Sequence, residues 1–488
     1  MSLALRPVTT LLIVAALTAC SEPANDSEPP AAQQSAVETA PAAQVDAAAA
    51  RNIEITLGSA VKRLCSSVLI GNRSIDHVMA HELSNPALQE VDFSFEDDLV
   101  TADGMSQTVS ALYREELGCT LVKDRTVEQL RAQFDTQSYP ARIAASNEEW
   151  PLGNRVSLPE EIPGVDLAAI NSAVDRAFDD IEPDQDIDNR AVLVIHQGKI
   201  IAEQYAPAFD ASMPQLGWSM TKTVTAALTG MLVGDGLLQV DAPAPVPEWQ
   251  TTGDPRQAIT LENLLQMSSG LQFSEVYTAG SMSDVILMLY TTGDTAGFTA
   301  AMPLAQEPGS TFYYSSGTTN IISRINRSVF DDLQAYFNFP RERLFNKLGM
   351  DSAVLEPDAT GTFVGSSYMY ATPRDWARIG LLYQQDGMWN GERILPEGWV
   401  EYSLTPASST EQGEYGIQIW LNAGAPDDPD DRSHPGLPAN AYYLSGFEGQ
   451  NIVVLPDREL IVMRMGLTTR GPRPIWALTE AVLDAMAP

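Results

Sequence analysis

Ser219 and Lys222 stand three residues apart in Gly217-Trp218-Ser219-Met220-Thr221-Lys222, in a chain whose lysines are Lys62, Lys123, Lys199, Lys222 and Lys347. A serine hydroxyl is a weak nucleophile until a base removes its proton. Residues three apart on a helix are neighbours, about 5–6 Å between Cβ atoms, so this spacing sets an amine beside a hydroxyl. At a helix start the backbone dipole presents positive charge; with burial, that field lowers a lysine pKa and makes a neutral amine available near pH 7. The same free N–H groups can stabilise an oxyanion formed when the serine attacks a carbonyl. Ser59-Ala-Val-Lys62 repeats the spacing beside Arg63, so spacing and charge alone do not choose between the two pairs. No G-x-S-x-G elbow occurs, and none of His77, His81, His196 and His434 stands near a recognisable serine motif, so nothing points to a Ser-His-Asp triad. His77 and His81 lie four apart with no third ligand evident, and no metal is expected.

The elements that must hold this pair follow from periodicity. Val224, Leu228 and Met231 recur on one face of a helix expected from Met220 to Leu232, closed by Gly234-Asp235-Gly236. Upstream, a helix is expected around Leu167 to Phe178. After it, AVLVIHQGKIIAEQYA (191–206) places two apolar-rich runs around Gln197-Gly198, the pattern of a core hairpin. Near the C-terminus, Asn451 to Leu455 and Leu460 to Met465 read as paired strands across Pro456-Asp457-Arg458, and a last helix is expected from Ile475 to Met486. The order is strand pair, long helical insertion, strand pair, helix. Residues 51–150 form a first unit, in which helix-like Ser59 to Ser67 and Thr126 to Phe134 alternate with strand-like segments such as Val91-Asp-Phe-Ser-Phe. The Pro-, Glu- and Gly-rich stretch from Pro151 to Pro163 reads as a linker.

Residues 165–488 resemble the serine hydrolases of the β-lactamase and penicillin-binding-protein superfamily, in particular the class C-like branch with its esterases and 6-aminohexanoate-dimer hydrolases. Trp218-Ser219-Met220-Thr221-Lys222 is similar to the first motif, Tyr314-Ser315-Ser316 within 308–316 to the second, and Gly446-Phe447-Glu448-Gly449-Gln450 falls where the third is expected. Supporting stretches are TLENLLQMSSGL (260–271), YATPRDWARIGLLYQQDG (370–387) and GERILPEGW (391–399). The resemblance implies an α+β fold, an antiparallel sheet flanked by helices beside a mostly helical subdomain, preceded here by the small α/β first unit. It further implies acylation of Ser219, proton transfer by Lys222 and Tyr314, an oxyanion hole from the backbone N–H groups of Ser219 and Gln450, and no cofactor. Ser316, Phe447, Glu448 and Gly449 would meet the substrate. Ser316 stands for the family's asparagine and Phe447 for its cation or histidine, which favours a neutral ester or amide over a β-lactam or D-Ala-D-Ala peptide. A non-hydrolytic relative that binds cell-wall fragments is the alternative from another class. Arg374-Asp375 is expected to be a structural pair.

Composition bounds the partners. A chain of 488 residues, 44% hydrophobic, can bury more than one core, and a net charge of −35 repels a phosphate backbone, so nucleic acid is excluded as a partner. Residues 1–19 read as an export signal: Arg6 precedes an apolar core, Leu11 to Leu17, too short to span a bilayer. Leu17-Thr18-Ala19-Cys20 resembles the bacterial lipobox, which makes Cys20 a lipidation site; an ordinary cleaved signal is the alternative. Ser21 after it suggests the outer membrane, with the folded part on the periplasmic side. The Ala-, Pro- and acid-rich residues 20–50 read as a disordered tether. Cys65 and Cys119 remain, and in an exported chain they are expected to pair. Oligomeric state is not legible.

Overall fold

The computed structural model describes residues 42–143, 146–179, 182, 184–277 and 282–487; the expected signal segment, Cys20 and most of the tether lie outside them. Helix α1 (Ala42–Leu69) begins inside the stretch that composition assigned to the tether. From Ala42 to Ala50 alanine dominates, and alanine loses no side-chain entropy in a helix, so this end propagates α1 rather than remaining coil. α1 lies on an antiparallel sheet of β1 (Asp92–Glu96), β2 (Leu99–Gly104), β3 (Gln107–Arg114) and β4 (Gly118–Leu121), paired in chain order. Leu57, Val61 and Leu64 form the helical stripe that meets alternate sheet positions Val100, Ala102, Val109 and Ala111. Cys65 and Cys119 are joined in a disulfide, Cα atoms 6.1 Å apart, that ties α1 to β4. This core continues into the rest of the chain, where Trp218, Val285, Leu289 and Tyr368 belong to the same cluster.

The second sheet carries the site. Its strands are β5 (Asp186–His196), β6 (Lys199–Tyr205), β7 (Trp420–Leu421), β8 (Tyr442–Gly446), β9 (Gln450–Leu455) and β10 (Leu460–Arg470), in spatial order β7-β8-β9-β10-β5-β6, every neighbouring pair antiparallel. Gln197 and Gly198 have φ of 50° and 71°, the left-handed pair that a tight hairpin turn requires. Strand alternation splits the apolar residues between two layers. Val192, Val194, Val453 and Val462 face α2 (Leu167–Asp179) and the last helix α6 (Pro474–Asp484), meeting Ile170, Val174, Leu478 and Val482. Ala191, Leu193, Ile195, Ile452 and Met463 face the opposite layer, which holds α3 (Thr221–Gly234), α4 (Ser316–Arg327) and α5 (Pro373–Gln384). The strand expected to end at Met465 continues to Arg470 past a bulge at Met465/Gly466.

Arg374 and Asp375 at the head of α5 are not paired with each other. Arg374 bonds Glu203 on β6, while Asp375 pairs with Arg378 and accepts from the Ser352 hydroxyl. Adjacent helical side chains diverge by about 100°, so neighbours in sequence find different partners. No helix among the described residues is long and apolar enough to cross a membrane.

Candidate active site

Trp218–Met220 form a single 3-10 turn that runs directly into α3 at Thr221. Gly217 anchors the turn: its N–H donates to Met369 O at 3.0 Å, and a Cβ there would lie 2.1 Å from the Trp376 ring. Trp218 follows with φ of 48°, a conformation that bulky residues seldom adopt. The turn leaves Ser219 partly exposed and Lys222 buried one step into α3.

Lys222 Nζ lies 3.0 Å from each of three oxygens, Ser219 Oγ, Ser316 Oγ and Ser366 O. Burial lowers its pKa to about 8, against the opposing influence of the Glu275 carboxylate. At pH 7 roughly one amine in ten is then neutral, so the neutral amine is available as a minority form. Ser59 and Lys62, the competing pair, are not joined. Ser59 Oγ donates to Thr56 O at 3.1 Å, and Lys62 Nζ bonds Glu356 Oε2 at 2.6 Å and Ser66 Oγ at 2.9 Å.

Ser219 opens into a cleft of about 530 Å³. Tyr313, Tyr314, Trp420, Tyr443, Phe447 and Trp476 make its wall mostly aromatic, with Glu275, Ser445, Arg473 and His434 as polar members. The Tyr314 ring stacks on Trp420 at 5.2 Å, and Lys222 Nζ lies 4.8 Å from its centroid. Arg473 donates to Ser445 Oγ at 2.8 Å. His434 stacks on Trp476 at 3.6 Å; burial and the neighbouring Arg473 charge push its pKa down to about 4, so it is neutral at pH 7.

The structure redistributes the residues expected to meet substrate. Phe447 lines the cleft. Ser316 is fully buried at the head of α4, between Lys222 and Glu275, beneath the cleft lining rather than in it. Glu448 is neither solvated nor in the cleft: it is buried, pairs with Arg63, and accepts from Trp218 Nε1 at 3.0 Å. Gly449 is likewise buried, and a Cβ there would lie 2.6 Å from the Arg464 guanidinium. Gln450 opens β9 opposite Gly446, buried, with its side chain spent on Gly466 and Phe447. The cleft-facing stretch is Ser445-Gly446-Phe447 at the end of β8, upstream of Glu448 to Gln450.

Glu275, Trp420 and Arg473 were not singled out in the sequence. Glu275 accepts from the Ser316 hydroxyl at 2.5 Å, from the Ser316 N–H at 2.9 Å and from Tyr277 Oη at 2.9 Å. Its only sequence signal is a lone acid in the otherwise uncharged run Leu271-Gln-Phe-Ser-Glu-Val-Tyr. Arg473 is preceded by Gly471-Pro472 and followed by Pro474, a context that signals a helix start but no ligand.

Comparison with known proteins places this architecture. Residues 174–478, more than half the chain, match the Beta-lactamase family model. A 6-aminohexanoate-dimer hydrolase of Paenarthrobacter ureafaciens is 25% identical over 299 residues, covering 56% of this chain and 71% of that protein. Among solved structures, a penicillin-binding-protein homologue from Caulobacter crescentus superposes with a TM-score of 0.51 at 18% identity, over 68% of this chain and 99% of its own. A family VIII carboxylesterase gives a TM-score of 0.51 at 14% identity, over the same shares. These two likenesses show the antiparallel sheet and its flanking helices. The chain belongs to the beta-lactamase family of hydrolases.

Proposed function

We propose that the protein hydrolyses a small ester or amide through an acyl-enzyme on Ser219. The observation that carries this reading is the direction of the hydrogen bonds around Lys222. Ser366 offers a carbonyl oxygen, which can only accept. Ser316 directs its own proton at Glu275, so its oxygen also accepts from the lysine. The charged amine donates to Ser219 Oγ as well. The neutral amine has two N–H donors and one lone pair, and with both donors committed to Ser366 and Ser316 its lone pair faces Ser219 Oγ, ready to take its proton.

The steps then balance. Ser219 Oγ attacks the substrate carbonyl carbon as its proton passes to Lys222 Nζ. The tetrahedral oxyanion is met by the backbone N–H groups of Ser219 and, at the cleft-facing end of β8, of Phe447 in place of Gln450. The carbon–oxygen or carbon–nitrogen bond breaks, the leaving group takes the proton relayed by Lys222 and Tyr314, and an ester to Ser219 remains. Water, deprotonated by the same pair, attacks the ester carbon; the bond from that carbon to Ser219 Oγ breaks, Oγ takes the proton back from Lys222, and the acid leaves. Reaction of Ser219 with a fluorophosphonate, and turnover of a panel of p-nitrophenyl esters, nitrocefin and D-alanyl peptides by wild type and Ser219→Ala, test this reading. Loss of labelling and turnover in Ser219→Ala supports it. Unreactive wild type sinks it and favours a fragment-binding relative.

Arg473 favours a second reading of the substrate. Phe447 lines the cleft with an apolar ring, yet a guanidinium from the head of α6 reaches the same cleft and bonds Ser445. A substrate bearing an anionic group, including a β-lactam or peptide carboxylate, therefore fits the cleft alongside neutral esters. The export reading is also kept as a proposal: Cys20 carries lipid and residues 21–41 tether the domain to the membrane. Radiolabelled palmitate incorporated by wild type and not by Cys20→Ser supports it; equal labelling of both refutes it.

A further inference from the structure

Two non-glycine residues beside the proposed nucleophile hold left-handed backbone conformations, Trp218 with φ of 48° and Glu448 with φ of 64°. Such residues persist only where surrounding contacts over-determine them. Here they hold each other, since Trp218 Nε1 donates to Glu448 Oε2 at 3.0 Å. The third member comes from the first unit. Arg63 of α1 pairs with the same Glu448 oxygen through Nη2, lies 5.6 Å from the Trp218 ring, and reaches Glu82 Oε2 at 3.2 Å through Nε. Glu448 is almost wholly buried, so Arg63 is its charge partner in a place water barely reaches. Trp218 immediately precedes Ser219. Phe447 immediately precedes Glu448, lines the cleft, and sets its edge on Trp218 at 5.6 Å. Arg63 is itself fixed on both sides: Lys62 is bound to Glu356, and Cys65 is cross-linked to Cys119.

We propose that Arg63 is a positioning residue for the hydrolytic site, by which the first unit acts through Glu448 to set the Trp218–Ser219 turn and the end of β8. The inference rests on Ser219 being the nucleophile. Without the guanidinium, the buried carboxylate loses its directly bonded counter-charge and the turn its brace. Ser219 Oγ and the Phe447 N–H then drift from the geometry that attack requires, while the rest of the aromatic wall, Tyr313, Tyr314, Trp420, Tyr443 and Trp476, stays in place. A misplacement of about 1 Å at a reacting centre costs roughly 100-fold in rate.

The test uses the purified full-length chain as wild type, Ser219→Ala, Arg63→Met, Arg63→Lys and Trp218→Phe. It measures kcat and KM on an ester from the panel, the fluorophosphonate labelling rate, and thermal unfolding of each variant. Trp218→Phe keeps a six-membered aromatic ring at this position while removing the indole N–H that donates to Glu448, along with the volume of the smaller ring. With its unfolding measured beside its kinetics, it tests the brace if Arg63→Met does not fold. The expected result is a fall in kcat and labelling rate of about 10-fold or more in folded Trp218→Phe and Arg63→Met, with KM within about 3-fold. Arg63→Lys, which keeps the charge, should recover part of the rate. Folded variants with kcat within about 2-fold of wild type would overturn the proposal, as would a loss that merely tracks the unfolded fraction. If wild type turns over, Ser219→Ala does not, and Trp218→Phe is unimpaired, the brace alone fails. If wild type neither labels nor turns over, the hydrolase reading and the brace fall together.

Discussion

Lys222 and Glu275 are joined through one hydroxyl: Ser316 Oγ lies 3.0 Å from Nζ and 2.5 Å from Glu275 Oε1. The carboxylate thereby does two things. It fixes which way the Ser316 proton points, and its charge opposes the lowering of the Lys222 pKa by burial. Ser316, where the family carries an asparagine, thus works beneath the lysine rather than against the substrate.

The pH profile follows from that link. With Lys222 titrating near 8, kcat/KM should climb as pH rises through about 8 and then level off. Glu275→Gln removes the charge that holds the lysine pKa up, so the rise should move to lower pH. A rise that moves upward, or no rise at all, contradicts the assignment. Stability has the same sign. The folded pKa lies below the ordinary 10.5, so the unfolded chain binds more protons between about 8 and 10.5. The Lys222 contribution is therefore constant below that window, rises across it and is constant again above it. Thermal melts of wild type and Lys222→Met over the same pH range check it.

Gly446 is where the end of β8 meets the serine turn. A Cβ there would stand 2.2 Å from Gly217 O and 3.0 Å from Gln450 Cβ, and the nearer neighbour is backbone that cannot rotate away. Gly446→Ala should push β8 off the turn, with an overpacking cost of about 1–3 kcal/mol. Because Gly446 stands between the turn and the Phe447 N–H, kcat should fall more than the melting temperature implies. Kinetics measured well below the melt separate the two effects.

Much of this was legible in the sequence, and what was missed has a common cause. Strand pairs such as Leu460 to Met465, and the helix carrying Lys222, announce themselves because periodicity of 2 or 3.6 is local information. Ser219 and Lys222 are close in sequence, so their contact was readable too. Glu275, Arg473 and Trp420 reach the cleft from a loop, a helix start and the short strand β7, and a single chain carries no signal of which distant segments converge. The third motif was read downstream of the cleft because Gly446 and Gly449 both punctuate the turn after β8. Only the backbone shows that the first meets the Gly217 carbonyl at the serine turn and the second faces Arg464. The Ala42–Ala50 helix was missed because low hydrophobicity argues for coil, whereas alanine-rich composition alone suffices to extend a helix already nucleated downstream.

The Cys65–Cys119 bond closes a loop across a sequence separation of 54 residues. Chain entropy for a loop of that size predicts a loss of about 4 kcal/mol on removing it, and measured native bonds give roughly 2–5 kcal/mol. Cys65→Ala/Cys119→Ala should therefore unfold at lower denaturant with the folded core otherwise retained. Since Cys65 lies two residues beyond Arg63, the pair should also lose more turnover than stability alone dictates. Equal denaturation midpoints for variant and wild type would contradict this account.

Arg473 discriminates between the two substrate readings. Its guanidinium stands at the cleft beside Ser445, where a charge-assisted hydrogen bond to a substrate carboxylate is worth about 1.5–3 kcal/mol, roughly 10- to 100-fold in affinity. Arg473→Met preserves bulk and removes charge. If the natural substrate is anionic, KM for carboxylate-bearing esters and β-lactams should rise by about 10-fold or more, while neutral p-nitrophenyl esters change by less than about 2-fold. Equal effects on both classes would mean that Arg473 holds Ser445 and the end of β8 in place without reading charge. The cleft would then be an aromatic pocket for neutral acyl groups. Steady-state kinetics on matched ester pairs, identical but for one carboxylate, separate these outcomes.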